Sequence, residues 1–327
     1  MSRDIGLASD VTKPPRYPLI FNPKARSQRA QRAESFIMER ATRFAMYATS
    51  SPEEARDLAA NFAAEGAPVV VAAGGDGTLN AVLQGLAGST TALGVIPAGT
   101  MNVFARELGI PYGHLDKAFE VIEAGYIREI DLFEVNGSPF MQMAGLGFDA
   151  SVIEETTWES KKMLGPLAYL LAAVKVLGEK PPKMEVITAE GECVEGVAVL
   201  AGNGTLYGGQ LPLFRKADNQ DEMLDVLVFQ ESGYRLVLDS FASLARGGVD
   251  LSKSVTHLQS RDFVVRCARE FPIQVDGELL GRATEVHFRA IERKLRVLAP
   301  EHPIVSRFGE AMKSLGGWTR KMQGIEE

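Results

Sequence analysis

Cysteine is nearly absent. Cys193 and Cys267 are the only two in 327 residues, and neither has another Cys or a His at metal-ligand spacing. That excludes a disulfide scaffold and a zinc ribbon and fits a reducing compartment. No run of about 18 uncharged apolar residues occurs, and the opening MSRDIGLASDVTKPPRYP lacks the apolar centre of a signal peptide. The chain therefore reads as cytoplasmic, at most peripheral to a membrane. Positive charge is also in short supply: 35 Lys and Arg against 42 Asp and Glu leave a net charge of −7. Such a chain has no global field to draw in nucleic acid, so an anionic ligand must be met by a local site. Missing too are a G-x-x-x-x-G-K-[ST] loop and the H-R-D and D-F-G strings, which removes P-loop and protein-kinase mechanisms. The four histidines, His114, His257, His287 and His302, are scattered without acid–base or metal spacing.

What is present is apolar content, 46% of the chain, over a length that suits about two domains. Residues 1–15 mix polar residues with Pro14 and Pro15 and read as a flexible leader. From Arg16, short apolar runs alternate with helical patterns. One helix opens Ser51-Pro52-Glu53-Glu54, with cap, first-turn proline and acidic first turn in order. That alternation predicts an α/β domain with a mainly parallel sheet over 16–126. From residue 127 the texture changes to short strand-like runs at 127–135, 184–188, 194–201, 224–229, 263–266, 273–275, 284–289 and 295–298. Asn136-Gly137 and Asp276-Gly277 are hairpin signals among them. A second, antiparallel domain is expected over 127–300, with helical insertions near 151–177 and 233–246. Residues 301–327 carry an amphipathic helical pattern with basic flanks, suited to docking on the first domain or to lying on a bilayer.

Two loops carry the chemistry. Residues 69–80 read as a buried strand running into Gly74-Gly75-Asp76-Gly77-Thr78, with a helix directly after. Glycines there let backbone N–H groups approach a ligand, and a helix N-terminus favours phosphate oxygens. A carboxylate in such a loop repels an anion unless it holds a cation or takes a proton, so Asp76 suits Mg²⁺ or a hydroxyl nucleophile beside a polyphosphate. The bland alternative is a tight turn in which Asp76 caps the helix. A second strand then enters Pro97-Ala98-Gly99-Thr100-Met101-Asn102. Both loops would emerge at the carboxyl ends of parallel strands, where ligands bind.

GGDGTLN at 74–80 and PAGTMNVFARELGIP at 97–111 resemble the diacylglycerol kinase catalytic domain. The likeness is to its bacterial lipid kinase branch, which is related to sphingosine and ceramide kinases. Ile130-Asp131-Leu132, residues 144–150, Gly202-Asn203-Gly204, Gly208-Gly209 and Val275-Asp276-Gly277-Glu278 follow in the family's order. The resemblance implies an NAD-kinase/diacylglycerol-kinase-like α/β domain and a C-terminal antiparallel β-sandwich that binds lipid. It implies ATP near Asn22, Arg26, Gly74, Gly75, Asp76, Gly77, Thr78, Asn80, Gly99, Thr100 and Asn102. Asp276, Glu278 and Asp76 are its implied catalytic residues, Mg²⁺ sits at Asp76, and Arg106 and Asp131 form a charged support. Asp218 and Asp221 are candidates for an accessory Mg²⁺. Expected partners are ATP, a lipid alcohol such as diacylglycerol or a sphingoid relative, and transiently a membrane surface; a homodimer is left open. The alternatives are an NAD kinase-type phosphotransferase and a non-catalytic lipid-binding module.

The chain also departs from the family. Asn22-Pro23-Lys24-Ala25-Arg26 has no glycine, so Arg26 is expected to supply charge where backbone would approach phosphate. Ala81 and Val103 stand where carboxylates are usual, and Asp221-Glu222 replaces Asp-Gly. Gly145-Leu146-Gly147-Phe148-Asp149-Ala150 matches a dinucleotide fingerprint, but no second strand ending in an acidic residue follows at the required distance.

Overall fold

The computed structural model describes residues 16–23, 28–147, 181–207, 211–231 and 252–301. The expected leader, both helical insertions, the C-terminal helix, Arg26 and Gly208-Gly209 lie outside the described residues.

Seven elements build the first half: β1 (Tyr17–Phe21), α1 (Gln28–Glu39), β2 (Phe44–Ala48), α2 (Pro52–Ala64), β3 (Val69–Gly74), α3 (Asp76–Leu86) and β4 (Ala92–Pro97). The strands are parallel in the order β2-β1-β3-β4. β3 and β4 are almost wholly buried, VVVAAG and ALGVIP, as suits strands covered on both faces. At α2, Ser51 Oγ accepts from the Glu54 N–H at 3.3 Å, the cap expected from the sequence. Because β1 connects outward to β2 while β3 lies on its other side, the sheet changes direction between β1 and β3. A crevice opens there beyond the strand ends.

After α4 (Val103–Glu107) and α5 (Leu115–Ala124) the chain enters β5 (Ile127–Val135), β6 (Ser138–Phe140) and β7 (Met143–Gly147). Then come β8 (Met184–Thr188), β9 (Cys193–Gly196), β10 (Ala198–Gly202), β11 (Leu206–Tyr207), β12 (Leu211–Pro212), β13 (Leu224–Phe229), β14 (Val255–Ser260), β15 (Phe263–Val275) and β16 (Glu278–Leu298). This half is antiparallel, with β14-β13-β10-β7-β15-β16 in sequence, and forms the sandwich. Both expected hairpins are two-residue turns with positive φ at each position: Asn136 and Gly137 at 49° and 84°, Asp276 and Gly277 at 49° and 88°.

Several strand expectations change. The runs at 263–266 and 273–275 are one strand, β15, interrupted by a register shift between Arg266 and Phe271. Those at 284–289 and 295–298 are parts of the 21-residue β16. The run at 194–201 divides at Val197 into β9 and β10. The polar stretches within β15 and β16, 268–270 and 292–294, fall at irregularities of the ladder, and pairing resumes on either side of each. β6, β7 and β14 were not expected; β14, VTHLQS, lacks clean alternation and owes its state to pairing with β13.

β16 belongs to both halves. Its start pairs with β15, and Val297 pairs in parallel with Leu93 of β4. β5 runs antiparallel to it over most of its length. One core accordingly joins Leu79, Val95 and Phe104 with Ile130, Leu132, Leu295 and Val297. A second joins Phe133 and Val135 of the same β5 with Leu146, Val226, Phe271 and Phe288.

Candidate active site

The crevice between β1 and β3 holds a cavity of about 220 Å³. Asn22, Gly74, Gly75, Thr78 and Gly99, all expected at a nucleotide, line it, together with Ala30, Ala33, Glu34 and Ile37 of α1. The α1 wall was missed from sequence, although helical spacing puts 30, 33, 34 and 37 on one face.

The two glycine loops touch. The Gly74 carbonyl accepts from Ala98 N (2.9 Å), Gly99 N (3.1 Å) and Asn102 Nδ2 (3.0 Å). A Cβ on Gly99 would run into the Gly75 backbone, and one on Gly75 would come within 3.3 Å of Gly99 Cα. Asn102 is fully buried in the left-handed region, φ 46°. Asn80 is buried as well. Both were expected at ATP; neither lines the cavity, and Asn102 fastens one loop to the other. Thr100 is outside the cavity lining, and its carbonyl accepts from Arg29 and Tyr112.

Asp76 is the first residue of α3, and its Oδ1 accepts from the Phe104 N–H of α4 at 3.4 Å. Burial raises its carboxyl above the usual range, with backbone N–H groups of α4 partly offsetting this. Across from it, the β15–β16 turn delivers Asp276. Its Oδ1 accepts from Gln142 N and Met143 N (2.9 and 3.0 Å) and its Oδ2 from Met141 N (2.9 Å). Burial is the main cause that pushes the Asp276 carboxyl up to about 6; the three amides oppose it and the Asp76 charge adds to it. Glu278, two residues on, extends its carboxylate over Gly77, where an added Cβ would meet Oε1 at 3.0 Å. Its carboxyl is also raised, by burial and then by Glu53. The structure thus brings Asp76, Gly77, Asp276 and Glu278 together, from both halves of the chain.

The expected support divides. Arg106 feels Asp76, which opposes the lowering caused by burial and by neighbouring Arg29. Asp131 has other partners: Lys294 Nζ at 2.8 Å and the Glu222 N–H at 2.6 Å. Asp218 and Asp221 form a turn in which each carboxylate accepts a backbone N–H two residues on. Among the described residues no three Asp, Glu, His or Cys side chains converge as a metal cage. Nearby, Lys294 Nζ lies 3.4 Å from both the Gln220 carbonyl and Glu222 Oε1. Glu222 sits at φ 64°, a conformation that favours glycine, held by Asp131, Lys294 and Arg261.

A buried network whose pairing was not expected from sequence joins α4 to the sandwich. Glu107 accepts from Gln142 Nε2 (3.1 Å), Thr205 Oγ1 (3.0 Å) and Leu206 N (2.9 Å). Gly204 packs so closely here that a Cβ would strike Gln142 and Glu107. Asn203 bridges the Asp131 and Met141 carbonyls. Gly145 and Gly147 lie within antiparallel β7, between β10 and β15, and not in a parallel strand as a dinucleotide fingerprint requires.

The chain's likenesses follow this division. The diacylglycerol kinase catalytic domain matches residues 16–135, and the YegS C-terminal NAD kinase beta sandwich-like domain matches 142–299. Diacylglycerol kinase of Bacillus subtilis (strain 168) is 29% identical over 295 residues, 86% of this chain and 96% of that one. The protein named "Probable lipid kinase YegS" of Salmonella arizonae is 33% identical over 248 residues, 73% of this chain and 81% of that one. A crystal structure of a candidate diacylglycerol kinase from Bacillus anthracis str. Sterne has a TM-score of 0.75 at 23% identity, covering 91% of this chain and 99% of that one, which supports the fold. With both halves matched in order and a third of the residues shared across most of a relative's length, the chain belongs to the diacylglycerol kinase and YegS-like lipid kinase family.

Proposed function

We propose that the protein transfers the γ-phosphoryl group of ATP to the hydroxyl of a membrane lipid of the diacylglycerol or sphingoid class. The observation that carries this reading is the meeting of Asp276 with the Gly74–Thr78 loop, a proton acceptor opposite a phosphate-sized cradle of backbone. Asp276 Oδ1 accepts two N–H groups and Oδ2 one, which leaves Oδ2 a free lone pair for an incoming hydroxyl. In this scheme the hydroxyl proton passes to Oδ2, the hydroxyl oxygen bonds to the γ-phosphorus, and the bond from that phosphorus to the bridging oxygen breaks, releasing ADP.

The donor set fits Mg²⁺. Asp76, Asp276 and Glu278 are all raised by burial, and none has an ion pair among the described residues, so the site carries surplus negative charge. With no cage of three protein ligands, it suits a cation that takes one or two carboxylates and completes its shell with water and phosphate. Asp76 would hold it, and it would neutralise charge on the transferring phosphoryl group. Gly75, Gly99 and Thr78 would line the phosphates, and Asp276 would orient and deprotonate the acceptor.

The test is labelled ATP and Mg²⁺ offered with diacylglycerol and sphingoid lipids in micelles and, separately, with NAD. Label in lipid is expected. Efficient NADP formation without labelled lipid would transfer the site to the NAD kinase class, and label in neither would favour a non-catalytic module.

A further inference from the structure

Pairing slips at the hairpin that carries Asp276. Ile273 opposes Gly281 and Gln274 opposes Leu279, so Leu280 has no partner across the β15–β16 ladder. A strand normally sends successive side chains to opposite faces, and the extra residue of a bulge breaks that rule. Gly281, at φ 136°, accommodates the irregular backbone. As a result Leu279 and Leu280 both face solvent, 45% and 43% exposed. They directly follow Glu278, whose carboxylate lies over the cleft loop. On the opposing loop Met101, next to Thr100, is 42% exposed. The cleft mouth therefore presents three large apolar side chains that neither core uses.

Cations flank Met101. Arg29 Nη1 donates to the Thr100 carbonyl (3.1 Å) and Arg106 Nε to the Met101 carbonyl (2.7 Å). Both guanidiniums lie over the ring of Tyr112, 4.6 and 3.7 Å from its centroid. Neither forms an ion pair among the described residues, and the two repel each other. Two like charges gathered on one ring, in a chain of net charge −7, make a site that an anion would relieve. A guanidinium fork matches phosphate oxygens.

We infer that this rim, Leu279, Leu280 and Met101 beside Arg29 and Arg106, is the surface on which the protein sits against a phospholipid bilayer with anionic headgroups. The apolar side chains enter the interface and the guanidiniums take headgroup phosphates. Charge complementarity selects this occupant, and so does size, because three apolar side chains are far less than a stable protein interface buries. Docking in this pose turns the cleft toward the lipid. That consequence rests on the lipid kinase reading, whereas the binding itself does not.

The test is flotation of the full chain, without nucleotide, on phosphatidylcholine vesicles with and without phosphatidylglycerol. Wild type is expected to float with the anionic vesicles. Leu279→Ser with Leu280→Ser should weaken that binding by about tenfold or more. Arg29→Gln should weaken it by about fivefold on anionic vesicles and not at all on phosphatidylcholine. Met101→Ser provides an independent check from the other loop. The double leucine variant, outside both glycine loops, should melt as wild type and phosphorylate a dispersed short-chain diacylglycerol at the wild-type rate. Flotation of the double leucine variant equal to wild type, or no flotation of wild type, overturns the inference. A wild type that floats but labels no lipid retires the kinase reading and leaves the docking surface standing.

Discussion

Asp276 carries a pH signature. As the proposed base it would work only when ionised, and burial pushes its carboxyl up to about 6; the rate should therefore fall on the acid side of about 6 and level off above it. Stability should move the opposite way. The folded value lies above the unfolded one, so this group stabilises the fold fully below the unfolded carboxyl value of 3.8 and loses that contribution as the pH rises to about 6. Steady-state rates and thermal melts across pH 4–8 read both. Asp276→Asn should cut kcat by about 10²–10⁴-fold with nucleotide affinity unchanged. Asparagine suits the positive-φ turn, yet its Nδ2 would face one of three N–H donors. A melt must accompany the assay, and a folded, fully active variant would leave Asp76 as the sole candidate base. Asp76→Asn should remove most activity and flatten the dependence on Mg²⁺ concentration, because it keeps an acceptor for the Phe104 N–H at the start of α4 but deletes the charge. Turnover near wild type at ordinary Mg²⁺ would reduce Asp76 to a helix cap.

The contact between the two glycine loops is a property of paired elements. Gly99→Ala has no room against the Gly75 backbone, so β4's loop must move away from β3's. Nucleotide binding should drop sharply while the sandwich stays folded; calorimetric titration with ATP and a melting curve would show this, and unaltered affinity would mean that the loops do not shape the cavity. At this scale the sequence was legible where local chemistry dictates backbone. Ser51 and Pro52 announced α2, Asp276-Gly277 and Asn136-Gly137 announced their hairpins, and uninterrupted apolar runs announced β3 and β4. It was silent where the partner decides. β14 has no pattern of its own, and nothing near Glu107 or Gln142 hints that they meet, being 35 residues apart. Of the residues expected at a nucleotide, Gly75 and Gly99 could be read from the backbone they permit, whereas the burial of Asn80 and Asn102 depends on packing that only the folded loops create. Acidic spacing alone did not tell that Asp218 and Asp221 would each close on a backbone N–H two residues on, nor that Lys294 would pair with nearby Asp131 and Glu222. Lys294→Met should leave Glu222, at φ 64°, without one of its holders and lower the melting temperature. No change in melting would assign the loop's order to Arg261 and Asp131 alone.

Across the whole molecule, the two family matches part between residues 135 and 142, while the hydrogen-bonded sheet does not part there at all. β16 begins beside Asp276 and ends against β4, and Leu295 and Val297 lie in the core that supports Asp76's helix. A chain cut at residue 135 would expose that core and leave an unpaired edge on β4. It is expected to be insoluble or molten when expressed alone, and the intact chain is expected to give one calorimetric transition; a well-folded 16–135 fragment binding ATP would contradict this. Among the described residues, the last strand in chain order is thus the one that completes the first domain. During synthesis the N-terminal half must wait, part-built, until β16 has emerged, so a premature stop anywhere before about residue 295 should yield a product for the protease rather than a folded fragment.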